Sequence, residues 1–152
     1  MRYKDMGKVL VTAMIENLHD LYDASKGRIK PEEVRSLEVP NALVDTGAST
    51  LSMPKSLVAK LGLTFVRNRQ AITAAGTATL PMYGTVRLTI QGRDWTGDVA
   101  EVPDNCPVMV GQLPLEGLDF VVDPIGQRLV GNPEHGGEQA IELYSFVGSP
   151  QP

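Results

Sequence analysis

Nine aspartates occur in the chain, and one of them, Asp45, sits where a carboxylate could do chemistry. It follows Ala42, Leu43 and Val44 and precedes Thr46, Gly47 and Ala48. A carboxylate at the end of an apolar strand is costly unless it is hydrogen-bonded or neutralised. Gly47 permits a sharp turn that brings backbone N–H groups to the carboxylate, and Thr46 and Ser49 add hydroxyls. Held in this way, Asp45 could act as a general base or acid toward water. The competing reading is an Asp turn that merely ends a strand, a common use of Asp-x-Gly. The other eight aspartates lie in polar, turn-like or strand-end contexts, where solvation accounts for them.

Other chemistries find less support. His19 and His135 are isolated and read as surface residues. The sequence has no HExxH, paired CxxC or phosphate-binding loop, so neither metal nor cofactor is expected. Ser49 and Ser52 have no neighbouring histidine to activate them as nucleophiles. Trp95 reads as a packing residue of a hairpin. Cys106, the single cysteine, reads as a small buried apolar residue beside Pro107. One cysteine makes no intrachain disulfide, which fits a reducing compartment.

The elements that must position Asp45 are short strands. Residues 1–7 read as a polar lead-in, with Met6 an alternative start. Lys8 to Leu18 is rich in Val, Leu and Ile and reads as a strand. His19 to Pro40 is polar and reads as a loop, with one helical turn opened by Pro31. Leu43 and Val44 form a short strand running into Asp45. Pro54 to Leu61 reads as a helix: Pro at the start, Leu57, Val58 and Leu61 on one side, Gly62 as the stop. Thr64 to Thr79 reads as an exposed hairpin around Ala74-Ala75-Gly76. Val86, Leu88 and Ile90 alternate with polar residues in the clearest strand of the chain. Gly92-Arg93-Asp94 turns it into a second strand through Val99 and Val102. Val108-Met109-Val110 is a short buried run ending at Gly111. Phe120 to Val122 and Leu129-Val130 form a hairpin through Asp123-Pro124-Ile125-Gly126, and Ile141 to Tyr144 reads as a last strand. Many short strands with one or two short helices make an all-β protein.

Composition bounds the partners. With 42% apolar and 21% charged residues, the chain is an ordinary globular protein and not a disordered one. A net charge of -4 and few aromatics argue against nucleic acid and acidic membrane surfaces. The run Val9 to Ile15 is too short for a signal peptide, and no run of about twenty apolar residues could span a membrane. The expected location is cytoplasmic.

The segment Ala42 to Thr50, ALVDTGAST, resembles the active-site loop of retropepsin-like aspartic peptidases. Such domains carry a second marker: bulky apolar residues and a Gly, then a short helix and a final hairpin. Val108-Met109-Val110-Gly111 followed by Gln112 to Phe120 matches it in content and order. Ala74-Ala75-Gly76 lies between the two markers, where the family places its flap. The resemblance covers residues 40–131. It implies a closed, single-lobe acid-protease barrel for 40–131. Residues 1–39 would pack on the same domain, and 132–152 would supply an interface strand and a tail.

What the resemblance implies mechanistically is a pair of carboxylates that share one proton, the established behaviour of the aspartic-protease class. One carboxylate takes a proton from water while its protonated partner polarises the scissile carbonyl. Asp45 would be catalytic, with Thr46, Gly47 and Ala48 supporting it and Ala74, Ala75 and Gly76 as flap residues. The sequence holds one such loop, so the second carboxylate would come from a homodimer acting on a polypeptide substrate. In the family the loop Thr bonds across the dimer axis, and Thr46 matches it. Retroviral members also have an acidic residue two after the loop Gly and an arginine after the second marker's Gly. Here these positions are Ser49 and Gln112, so that ion pair is absent. The alternative is a catalytically inactive module that keeps the fold for dimerisation or peptide binding.

Overall fold

The computed structural model describes residues 8–145. The polar lead-in and the end of the C-terminal tail expected from the sequence lie outside them. Six strands close a barrel in the order β1 (Val9–Asn17), β2 (Ser36–Val44), β7 (Met109–Val110), β3 (Leu51–Pro54), β6 (Arg93–Val102) and β5 (Gly76–Ile90). Closure comes from β1, whose residues Met14–Asn17 pair antiparallel with Val86–Thr89 of β5 while Val9–Glu16 run antiparallel to β2. The seventh strand, β4 (Thr64–Thr73), extends outward as a hairpin with the first half of β5. β8 (Phe120–Asp123) and β9 (Arg128–Gly131) form a separate hairpin. The all-β, single-lobe barrel expected from the sequence is the fold observed.

Side-chain alternation places the core. Val9, Val11, Ala13 and Ile15 of β1 face inward, as do Val86, Leu88 and Ile90 of β5. Leu51, Met53, Val99, Val108 and Val110 complete the interior. Two short helices seal its ends. α2 (Lys55–Lys60) buries Val58, with Leu61 just beyond it, and Gly62 at φ 63° turns the chain out of the helix. α3 (Gln112–Leu118) buries Pro114, Leu115 and Leu118 and ends at Asp119 in the left-handed conformation. Each Leu so buried stabilises the fold by about 1.5–3 kcal/mol.

The structure corrects the loop expected over His19–Pro40. Residues Leu18–Ser25 form a third helix, α1, and Ser36–Pro40 belong to β2. α1 buries only Asp20, and its apolar residues at helical spacing, Leu18, Leu21 and Tyr22, stay half-buried or exposed, so the stripe they form is short and weak. It is set by a cap instead: the Asn17 side chain accepts from the Asp20 N–H at 3.0 Å and donates to the Leu61 carbonyl at 2.9 Å. Pro40 is tolerated in β2 because the β1–β2 register slips there. Val11 pairs with Ala42 but Ala13 with Val39, which leaves an extra residue on β2.

Three smaller readings are also corrected. Ile141–Tyr144 pairs with no strand among the described residues, and its Ile141, Leu143 and Tyr144 side chains are exposed. Ala140 N–H and Glu142 are tied back to Asp119 and His135, which holds this stretch off any sheet edge. Cys106 is half-buried, not buried, because it lies in the turn closed by its N–H to the Pro103 carbonyl. Asp20 and Asp119 are buried at 7% and 6% exposure, so pairing and not solvation accounts for them.

Candidate active site

β7 is inserted between β2 and β3, parallel to the first and antiparallel to the second. The loop carrying Asp45 joins β2 to β3 and therefore wraps around the end of β7. Asp45 N–H donates to the Val110 carbonyl at 3.0 Å, continuing the β2–β7 ladder by one residue. The chain then turns: Ala48 N–H donates to the Asp45 carbonyl at 3.1 Å, and Gly47 N–H donates to Asp45 Oδ1 at 2.9 Å. The half-buried carboxylate makes no other hydrogen bond among the described residues. Thr46 and Gly47 beside it are exposed and Ala48 is half-buried.

The second marker holds this loop from behind. Gly111 N–H donates to the Thr50 carbonyl at 3.0 Å, Gln112 N–H to the Ala48 carbonyl at 2.8 Å, and Leu113 N–H to the Ser49 carbonyl at 2.9 Å. These donors are the free N–H groups that open α3. A side chain at position 111 would collide with the backbone of Thr50 and Ala48. Glycine is demanded here by close approach, since its extended backbone (φ -88°, ψ -170°) suits any residue.

The β4–β5 hairpin is the projecting element expected around Ala74-Ala75-Gly76. Its register pairs Thr73 with Gly76, which puts Ala74 and Ala75 at the tip. Gly76 has φ 122°, and the Thr73 hydroxyl donates to its carbonyl at 2.7 Å while accepting from Ala75 N–H. A Phe65–Tyr83 edge-to-face contact, 5.8 Å between ring centres, stiffens the root. Ile72, 90% exposed beside the tip, was not singled out in the sequence, where it is one of many β-branched residues.

His135 is not the isolated surface residue expected. Its Nδ1 lies 2.6 Å from Asp119 Oδ2 and its Nε2 2.9 Å from Glu142 Oε2. The two carboxylates raise the imidazole pKa, Glu142 most. The His135 hydrogen bond in turn lowers that of Asp119, helped by Ala140 N–H and the Asn132 side chain. This cluster anchors the C-terminal segment and is built from elements remote in sequence from the Asp45 loop. His19 is exposed. Trp95 packs on the core with its ring over Gly97 and Gly117, as a hairpin packing residue should. Asp123 accepts from Ile125 N–H and pairs with Arg128, which makes Asp123–Gly126 a turn and not a second acid loop. No cluster of three metal-ligating side chains exists among the described residues, and no helix among them is long and apolar enough to cross a membrane.

A closed single-lobe barrel with an aspartate loop clamped by a helix start is the architecture of an acid-protease lobe. Residues 31–128 match the family model of aspartyl proteases, and the chain belongs to that family, in its retropepsin-like type. The match reaches about nine residues further toward the N-terminus than the resemblance read from the motifs, taking in all of β2. No curated protein matches the chain.

Proposed function

We propose that the protein is an aspartic endopeptidase whose working unit is a homodimer, with Asp45 from each copy forming the catalytic pair. The observation that carries this reading is the state of the Asp45 carboxylate. Its backbone is fixed by the Val110 carbonyl and the α3 clamp, yet among the described residues its side chain has a single hydrogen-bond donor, Gly47 N–H. A structural Asp turn would be complete with that bond. A clamp of three further bonds is more than a turn needs, and it suits a group that must be held still for chemistry.

The chain offers one such loop, and Asp123–Gly126 is occupied as a hairpin turn, so the second carboxylate comes from another copy. A twofold axis through the loops places Asp45 against its mate and the exposed Thr46 residues across from each other. Like charges so close share one proton, which leaves one base to activate water and one acid to polarise the carbonyl. The β4–β5 hairpin then acts as the flap, closing Ala74, Ala75, Gly76 and the exposed Ile72 over the peptide.

The test is cleavage of a mixed peptide library by wild type and Asp45→Asn. Asn is nearly isosteric but cannot serve as a carboxylate base, so a folded Asp45→Asn should lose activity. Adding excess Asp45→Asn chains to wild type should inhibit it by forming one-carboxylate hybrids. Full activity of the purified variant would end the catalytic assignment, and an absence of inhibition in a mixture shown to exchange subunits would end the shared site.

A further inference from the structure

The ladder between β1 and β5 is shorter than β1 itself. β1 runs beside β2 from Val9 to Glu16, but it meets β5 only from Met14 to Asn17, because β5 ends at Ile90. Residues Val9–Ala13 therefore have no strand on that side among the described residues. An edge of this kind turns free backbone N–H and C=O groups outward, and charged residues or proline usually guard it. Val9-Leu10-Val11-Thr12-Ala13 holds neither. A groove of about 510 Å³ lies here, lined by Leu10, Thr12 and Met14 of β1, Glu38 of β2, and Arg128 and Leu129 of β9. Its size is that of ligand sites, about 300–1,000 Å³. Leu10, Thr12 and Met14 alternate with the core residues Val9, Val11, Ala13 and Ile15, so the groove is on the outer face of the barrel. Glu38 stands seven residues before Asp45, about 20 Å away along β2, which sets this end of the groove apart from the Asp45 loop.

The charges in the groove select what fits it. Arg128 is already paired with Asp123, whereas the exposed Glu38 has no hydrogen bond or ion pair among the described residues. The uncompensated charge is negative. Glu38 stands across from Met14, one strand in from the free edge. A chain added at that edge would place its side chains two strand spacings, or about 10 Å, from Glu38. Lysine or arginine spans that distance, its apolar stem lying on Leu10 and Met14 while its head reaches the carboxylate. We propose that this groove docks an extended segment of a partner protein in which apolar residues alternate with Lys or Arg, the segment adding to β1 as a strand. Main-chain hydrogen bonds to the edge supply affinity, and the alternate side chains supply selectivity. The inference does not need the Asp45 chemistry, because such a strand docks whether or not the chain cleaves it.

The experiment is fluorescence anisotropy with short labelled peptides that alternate Val with Lys or Val with Glu, on the full-length wild type and on Glu38→Lys. The wild type should bind the Val–Lys peptide about tenfold more tightly than the Val–Glu peptide, and Glu38→Lys should reverse that preference. Glu38 is exposed, so the reversal leaves the fold intact, which thermal melting checks. Methylating alternate nitrogens of the Val–Lys peptide removes donors to the β1 edge and should weaken binding about tenfold. No preference in the wild type, the same preference in Glu38→Lys, or undiminished binding of the methylated peptide overturns the proposal. Asp45→Asn should bind both peptides as the wild type does; a lost affinity there puts the probe in the Asp45 cleft and overturns the separate groove. Two other occupants are tested directly. If replacing Arg2 and Lys4 by Ser in the full chain tightens Val–Lys binding about tenfold, the chain's own N-terminal segment fills the groove. If Glu38→Lys changes the sedimentation of the protein, a second copy fills it. Either result overturns the partner proposal, and no change in either supports it.

Discussion

Replacing Gly111 with Ala should loosen the Asp45 loop more than any other single methyl group added to this chain. The ideal Cβ would stand 2.7 Å from both the Ala48 carbonyl oxygen and the Thr50 nitrogen, and closer still to the Thr50 carbonyl oxygen. All three are backbone atoms, so no rotamer change relieves the overlap. Forcing an extra carbon into packed surroundings costs about 1–3 kcal/mol. Relief requires the loop and the α3 start to part, which strains hydrogen bonds of 3.0, 2.8 and 2.9 Å, each contributing about 1 kcal/mol. Losing one or two of them brings the total to about 2–5 kcal/mol. At roughly 2–4 °C per kcal/mol for a chain of this size, the melting temperature should fall by roughly 4–20 °C. Urea titration gives the free energy directly, and an unchanged slope would confirm that the denatured state is unaffected. If Gly111→Ala lies within about 0.5 kcal/mol of wild type, the clamp is looser than its geometry says and the account of the loop fails.

Disrupting the Asp20–Arg35 pair should unfasten the excursion that carries α1. Asp20 accepts from Arg35 Nε at 2.8 Å, Nη2 at 3.0 Å and the backbone N–H at 3.0 Å; Asp20→Ala leaves these donors without their partner and should cost about 1–3 kcal/mol by urea titration. The His135 clasp should be pH-dependent. His135 has a raised pKa, so its contribution is complete below the ordinary imidazole value of about 6.5 and fades as pH rises through the raised value; Asp119 has a lowered pKa, so its contribution is complete above about 3.9 and fades as pH falls through the lowered value. Amide exchange in residues 132–142 should therefore be slowest between about pH 4 and 6.5, after correction for intrinsic exchange, and His135→Leu should abolish the alkaline side of that dependence. For the proposed dimer, specific activity should fall on dilution, whereas a monomer active at every concentration would exclude it.

The barrel was legible wherever burial leaves a period. Val86, Leu88 and Ile90 alternate, and they proved to be the β5 segment that closes the barrel on β1. The Asp45 loop and the Gly111 marker were legible for a different reason: each resembles a motif of the retropepsin-like family, and the two fall in the family's order, whereas Asp-x-Gly alone would read as a common turn. What escaped had its cause far away in sequence. α1 carries only a one-turn apolar stripe, Leu18, Leu21 and Tyr22, and the only residue it buries is Asp20, whose partner Arg35 lies 15 positions on. His135 looked isolated because its partner Asp119 reaches it only once α3 has ended in a left-handed turn. Ser52 drew notice only as a nucleophile without a base; its burial follows from strand pairing with Met109 and Ala100, far from it in sequence.

The same logic shows how one loop per chain would suffice for the proposed two-acid site. In a single lobe, the strand order leaves the Asp45 loop at one end of β7, with its helix clamp on the inner side and Thr46 and Gly47 exposed. Four backbone groups behind the loop are engaged in steadying it: the Val110 carbonyl by Asp45, and the N–H groups of Gly111, Gln112 and Leu113 by Thr50, Ala48 and Ser49. The lobe therefore fixes the position of one carboxylate and leaves its outward surroundings unfilled. In the proposed dimer a second identical loop would supply a carboxylate of equal geometry without any further design in the sequence, because symmetry copies the clamp together with the acid. On this reading the missing Ser49–Gln112 ion pair is no defect. The charge-free clamp through backbone N–H groups is independent of pH and salt, so replacing Gln112 with Ala should leave the loop in place, and a collapse of both folding and cleavage in that variant would show that side chains, not backbone, hold it.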